Sequence, residues 1–320
     1  MKKNISIVVP CYNEKDNIIP LVNELKKVIK NDLSNYNVKI MFIDNDSNDG
    51  TRELIREVCE KEKDVRAIFN ARNFAMTSGY YGLLQAGGDC TISIPADFQI
   101  PLDIIPKLVK EWEDGGVVVC AVKESSHDNK LMWWIRQCFY KLYLELADGQ
   151  PIKNFTGSGL YDKKFIDILR EMNDNLPSLM SVIMTHGWNL RIVKYYEQKR
   201  RSGKSHNNLI RMINIGILRI TNTSVMIPRL SITTGFGIAI VSFLSMLIYL
   251  IISFIFGRFF VPGIIPTMCG VFFIGSLQLI FLGLMGEYII KINARIQGKP
   301  LVIENERIGD WEDDQSGDKI

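Results

Sequence analysis

Apolar and polar positions along the first part of the chain come in alternating blocks of two kinds. Residues 5–9 (ISIVV) form a short unbroken apolar run, as a buried strand does, and it ends at Pro10-Cys11-Tyr12-Asn13-Glu14. Ile18, Leu21, Val22, Leu25, Val28 and Ile29 then recur with the spacing of one helix face. Residues 38–43 predict a second strand, which runs into Asp44-Asn45-Asp46-Ser47-Asn48-Asp49-Gly50, followed by a helix face at Leu54, Ile55, Val58 and Cys59. Residues 65–69 predict a third strand, ended by Asn70-Ala71-Arg72-Asn73, and a helix over about 74–85. A fourth strand at 91–94 stops at Pro95, which has no N–H to donate to a ladder. Ile104, Ile105, Leu108, Val109 and Trp112 mark one more helix, and residues 117–122 one more strand. Strands alternating with helices predict an α/β domain with a parallel sheet covered on both faces.

In that topology the loops PCYNE, DNDSND, NARN and PADFQ share the carboxyl edge of the sheet, where open α/β sheets bind ligands. Strand-to-helix turns are polar in any protein, which accounts for part of this pattern. Acidic, amide and arginine groups in loops that must meet also suit a nucleotide diphosphate. Aromatic and amide groups would hold the base, carboxylates the ribose and a metal, and arginine the phosphates. Asp97, where the fourth strand ends, is placed to hold Mg²⁺ or Mn²⁺ against a diphosphate. Taken alone, it reads first as a turn-forming residue. No GxGxxG follows the first strand and no GxxxxGK[ST] occurs, so neither a dinucleotide fingerprint nor a P-loop is present.

Residues 130–146 are aromatic and basic, fitting either a core helix or a membrane interface. Residues 154–159 (NFTGSG) predict a flexible loop. Residues 198–205 (QKRRSGKS) fit a solvated charge run or an anion clamp built on Arg200, Arg201, Lys204 and Ser205. Residues 232–256 and 259–286 carry no charged side chain, and each is long enough to span a bilayer core. Basic residues flank both, which puts both ends of a two-helix hairpin on the cytoplasmic side of the inner membrane. The expected organisation is a cytoplasmic catalytic domain at 1–205, a juxtamembrane amphipathic helix at 206–230, a hairpin at 231–290 and a cytoplasmic tail at 291–320. The tail is expected to be mobile from Glu304 onward. Gly270, Gly275, Gly283 and Gly286 offer small-residue helix contacts that permit a homo-oligomer.

Composition adds exclusions. A net charge of +3 with 23% charged residues gives no footprint for nucleic acid. The six cysteines show no CxxC, and the three histidines stand far apart, so free thiols in a reducing compartment are expected and no zinc site. The apolar run at 5–9 is too short for a signal-peptide core.

With these residues in view, the chain resembles the family 2 glycosyltransferases of the GT-A fold, and within them the polyprenyl-phosphate glycosyltransferases. Val8-Val-Pro-Cys-Tyr-Asn-Glu14 matches their V-P-x-Y-N-E opening, and Phe42 to Thr51 their V-D-D-G-S-x-D-G-T pattern. Arg72-Asn73-Phe74 matches R-N-x, Pro95 to Pro101 falls where D-A-D-L-Q-D-P is expected, and Arg200 to Ser205 matches R-x-x-G-x-S. The resemblance implies inverting transfer of a sugar from a UDP- or GDP-linked donor to a membrane polyprenyl phosphate, serving cell-envelope glycans. It places Pro10, Tyr12, Glu14 and Asp44 at the nucleotide, Asp97 on the metal, and Arg200 and Lys204 near the phosphates. Asn13, Asp46, Arg72, Asn73, Ala96, Gln99, Arg201 and Ser205 join the candidate binding set as members of the same motifs.

The departures are Pro95 for the first Asp of D-x-D, Asn45 for the second Asp of the earlier motif, and Ile100 for the Asp after Gln. Gly157 stands where many relatives carry an aspartate assigned as general base. A hydroxyl acceptor needs such a base, worth roughly 10²–10⁴-fold. A phosphate monoester, with a second pKa near 6, is already largely ionised at neutral pH. The missing aspartate therefore fits a lipid-phosphate acceptor. Two alternatives stay open at the level of sequence: a transferase acting on a hydroxyl of a lipid-linked glycan, and a nucleotide-sugar-binding membrane protein that has lost catalysis.

Overall fold

The structure, a computed structural model, describes residues 2–125, 152–174, 178–185, 187–198 and 264–311, together with helical positions 244, 248, 251 and 255. The segment at 130–146, the basic loop beyond Gln198, the juxtamembrane stretch and most of the first uncharged stretch lie outside the described residues.

The expected apolar runs form β1 (Asn4–Cys11), β2 (Asn37–Asp44), β3 (Val65–Asn70), β4 (Cys90–Ser93) and β5 (Val118–Ser125). The periodic stretches between them form α1 (Lys15–Asp32), α2 (Thr51–Lys61), α3 (Met76–Gln85) and α4 (Ile104–Glu113). Beyond these come β6 (Phe155–Asp162), α5 (Lys163–Met172), α6 (Leu179–Thr185), β7 (Leu190–Tyr196), α7 (Ile264–Ile296) and β8 (Glu304–Ile308).

The eight strands form one mixed sheet in the order β7-β5-β6-β4-β1-β2-β3-β8. β4, β1, β2 and β3 are mutually parallel, with Cys11 of β1 level with Asp44 of β2. β6 runs antiparallel between β4 and β5, and β7 is parallel to β5. β4 and β5 therefore point the same way without touching. What the sequence presents as a flexible loop at 154–159 is mostly strand. Glycine makes the insertion possible. A Cβ on Gly159 would stand 2.2 Å from the Val119 carbonyl oxygen, so only a bare backbone fits between the neighbouring strands there.

Alternate positions of the strands serve opposite faces. Ile5, Ile7, Val9, Ile40 and Phe42 pack against α1, α2 and α4. Val8, Met41 and Ile43 pack on the other face, and Val118, Cys120 and Tyr161 meet α3, α5 and α6 there. β3 is buried at every position, including Arg66, whose guanidinium lies 4.4 Å from the centre of the Trp311 ring.

That tryptophan belongs to a segment expected to be mobile. Instead Glu304–Ile308 pairs antiparallel with β3 and closes that side of the sheet. The polar sequence ENERI hides the strand, because its partners are side chains of α2 and α3 as well as the β3 backbone. Among the described residues, no helix is long and apolar enough to cross a membrane. α7 begins at Ile264 and continues past Lys291 and Arg295 to Ile296, and it exposes Val271, Leu282, Met285, Ile289 and Ile292.

Candidate active site at the carboxyl edge of the sheet

The loops after β1 and β2 are stitched together. Asn13 takes a left-handed conformation (φ 55°), which asparagine tolerates. Its N–H donates to Ser47 Oγ at 2.9 Å, and its Oδ1 accepts from the Asn48 N–H at 2.9 Å. The Glu14 N–H donates to Thr51 Oγ1, and the Lys15 N–H to Asp49 Oδ2. Burial pushes the Asp49 carboxyl up, but hydrogen bonds from Thr51 and Lys15 outweigh it and hold the group below its ordinary value. Cys11 is no nucleophile, because burial pushes its thiol pKa well up.

Asp44 is fully buried at the end of β2. Its Oδ2 accepts from Arg52 Nε at 2.7 Å and from the Ser47 N–H at 3.1 Å. Its Oδ1, also buried, finds no hydrogen-bond partner among the described residues. A buried carboxylate oxygen left without a donor is costly, so a ligand N–H or O–H is the group that would complete it. Arg52 was not among the sequence candidates. It is the second residue of α2, a helix of which only apolar positions had been read. It also donates to the Asn70 carbonyl at 2.5 Å and approaches Asp46 Oδ1 at 3.4 Å, so one guanidinium ties β2, its loop and the end of β3 together.

Asn45 braces the third loop. Its Oδ1 accepts from the Phe74 N–H at 2.7 Å and from Asn70 Nδ2 at 3.2 Å. Its Nδ2 donates to Asn73 Oδ1 at 3.0 Å and to the Ala75 carbonyl at 3.3 Å. An aspartate could accept the first two bonds but donate neither of the others. Arg72 stands at the rim, exposed, with its guanidinium 4.8 Å from the Phe74 ring centre.

On the other side of β1, Asp97 is nearly buried (6% exposed), and its Oδ1 accepts from the Gln99 N–H at 3.1 Å. The Gln99 carbonyl accepts from the Gln198 N–H at 3.0 Å, so the basic segment starts against the Asp97 loop. Arg200, Arg201, Lys204 and Ser205 lie outside the described residues. An ion pair between Lys123 and Glu197 joins the ends of β5 and β7. Burial, reinforced by the charges of Glu197 and Asp97, pushes the Tyr195 phenol to about 12, so it stays protonated. Among the described residues, no group of three or more His, Cys, Asp or Glu could hold a metal by itself. A Mg²⁺ or Mn²⁺ at this edge would have Asp97 as one hard carboxylate ligand and would need its remaining oxygens from a ligand and water.

Residues 6–169 match the family model described as "Glycosyl transferase family 2". The chain belongs to glycosyl transferase family 2. The SfII prophage-derived bactoprenol glucosyl transferase of Shigella flexneri is 28% identical over 301 residues, 93% of this chain and 96% of that protein. The prophage bactoprenol glucosyl transferase homolog of Escherichia coli K12 is 27% identical, over 93% of this chain and 97% of its own length. Among solved structures, mannosyl-3-phosphoglycerate synthase from Rubrobacter xylanophilus superimposes with a TM-score of 0.48 at 16% identity, covering 69% of this chain and 73% of that chain.

As a family 2 glycosyltransferase, the chain shows physical reasons for two of its departures. Asn45 is an amide because it must donate as well as accept. Gly157 has φ +99°, a conformation that side-chain-bearing residues rarely adopt, and its carbonyl accepts from Tyr161 Oη at 2.7 Å. The backbone at position 157 is shaped for glycine.

Proposed function

We propose that this glycosyltransferase moves a sugar from a nucleotide-sugar donor to a polyprenyl phosphate at a membrane surface. The observation that carries the reading is the pair of buried carboxylates, Asp44 and Asp97, at the ends of β2 and β4 on either side of β1, one of them with an oxygen awaiting a donor. The relatives named as bactoprenol glucosyl transferases, matched over most of both chains, support the lipid acceptor.

In this reading Asp44 takes an N–H or O–H of the nucleoside, and Arg52 fixes the orientation of the Asp44 side chain. Asp97 would hold Mg²⁺ or Mn²⁺, whose charge stabilises the leaving diphosphate. A phosphate oxygen of the acceptor attacks the anomeric carbon as the bond to the donor diphosphate breaks, and that bond's electron pair leaves with the nucleoside diphosphate. Configuration inverts in this single displacement. No proton need move, because the acceptor phosphate is already largely ionised. That fits a chain whose residue 157 is a glycine in a left-handed conformation.

Arg200, Arg201, Lys204 and Ser205 would hold the acceptor phosphate, on a segment that starts beside Gln99. The exposed apolar side chains of α7, together with the uncharged stretch at 232–256, would seat the enzyme in the inner membrane with its catalytic domain and C-terminus cytoplasmic. The glycines along α7 leave room for a second copy.

The test is nucleotide release by purified protein in detergent, given undecaprenyl phosphate, Mg²⁺ or Mn²⁺, and a panel of UDP- and GDP-sugars. Release requiring both lipid and metal, with the sugar recovered in the lipid fraction, is the expected result. Donor binding without release under every condition would sink the reading.

A further inference from the structure

The chain that leaves α7 returns to the donor side of the sheet. Arg295, in the last turn of α7, pairs with both carboxylate oxygens of Asp174 at 3.1 Å. Leu301 then packs with the cluster around α3 and α5. The next contact is to the site itself, where the Ala71 N–H donates to the Ile303 carbonyl at 2.9 Å. Ala71 immediately precedes Arg72 and Asn73, and Asn45 Nδ2 donates to Asn73 Oδ1 in the same turn.

Beyond Ile303 the strand is pinned three ways. It pairs with β3, Tyr81 Oη of α3 donates to Glu304 at 2.7 Å, and Glu306 pairs with Arg56 of α2 at 2.7 Å. The two helices so held, α2 and α3, are those that begin at the donor loops. Burial, with Glu304 beside it, raises the Tyr81 phenol to about 12, so it remains a donor at any physiological pH.

We propose that residues 301–308 are a positioning strap for the donor site. They hold the Asn70–Asn73 turn in place and so make donor affinity depend on how α7 is seated. This rests on the donor-site reading given above. A strand that merely capped the sheet would need ladder bonds to β3 alone. It would have no reason to grip α2 and α3 or to bond the site loop.

The experiment uses the full-length enzyme with two distal anchors removed, Tyr81→Phe combined with Glu306→Ala. Hydrogen exchange at the Ala71 amide and transfer kinetics are measured together. The expected result is faster exchange at Ala71 and a KM for the nucleotide sugar raised about fivefold or more. The kcat and the KM for polyprenyl phosphate should stay within about twofold, with Glu306→Gln near wild type. Faster exchange with an unchanged donor KM overturns the proposal, as does unchanged exchange. If the double variant does not fold, Tyr81→Phe alone is held to the same criteria with a smaller shift. Failure of the wild-type enzyme to bind any nucleotide sugar would instead remove the donor-site reading, whatever the exchange at Ala71.

Discussion

Around β1, β2 and β3 the site loops hold one another through side chains, whereas around β4 and β6 they are shaped by backbone. On the first side Asn13, Asn45 and Arg52 each bridge two or more segments. On the second, Asp97 is fixed in part by its own turn, Gly157 and Gly159 set the path of β6, and the link to the basic segment is the backbone bond between Gln198 and Gln99. Under the proposed function, the difference would separate two chemical tasks. A nucleotide carries a planar base and a fixed set of ribose and base hydrogen-bonding groups and repays a prebuilt pocket, since ordering groups in advance lowers the cost of binding. A lipid phosphate arrives from a membrane surface and needs room and cations more than a fixed cage.

The largest effect should come from the second side. Asp97→Ala is expected to lower transfer by about 10²-fold or more while leaving thermal unfolding near wild type. Near-normal turnover by that variant removes the metal assignment. Next is Gly159→Ala, which forces a methyl against the Val119 carbonyl and should cost about 2–3 kcal/mol, read by denaturant unfolding. An unperturbed stability would show that β6 does not depend on close backbone approach.

Asp44→Asn tests the first side. It faces an amide toward Arg52 in place of a charge, and should raise the donor KM about tenfold with little change in the KM for lipid. An equal rise in both would erase the division between the two sides. Gly157→Asp should lose about 1–2 kcal/mol of stability through its left-handed backbone and gain no turnover. A clear gain would mean that the acceptor needs a base after all.

The smallest effect is pH-dependent. The Asp49 carboxyl lies below its ordinary value of 3.8 in the folded protein, so its stabilisation is present above that value and is lost as pH falls through the depressed one. The stability difference between wild type and Asp49→Asn should therefore shrink from about pH 6 to about pH 3. A constant difference would show that the Thr51 and Lys15 bonds do not depend on the charge.

Most of this contrast was legible in the sequence on the donor side and little of it on the other. The apolar runs of β1 to β5 and the faces of α1, α2 and α4 announce themselves by period, and the polar loops between them fall at one edge by topology alone. β6 could not be read that way. Its sequence FTGSGLYD owes its place to two glycines and to space between β4 and β5, which is a three-dimensional fact. β8 was hidden for a different reason. ENERI carries charges that meet Arg56 and Tyr81, far away in sequence, so it reads as a solvated tail. Arg52 was missed because a helix read for its apolar face says nothing of the polar residue that turns back to the strand before it. Asn45 read as a lost aspartate until its two donor bonds were seen.

The most direct test of the account follows labelled sugar from the nucleotide into the lipid fraction, in the wild-type enzyme and in Asp97→Ala, with undecaprenyl phosphate as the sole acceptor. The account predicts label in the lipid with wild type and divalent metal, and none above background with the variant or with chelator. Label reaching the lipid equally in all three would contradict it.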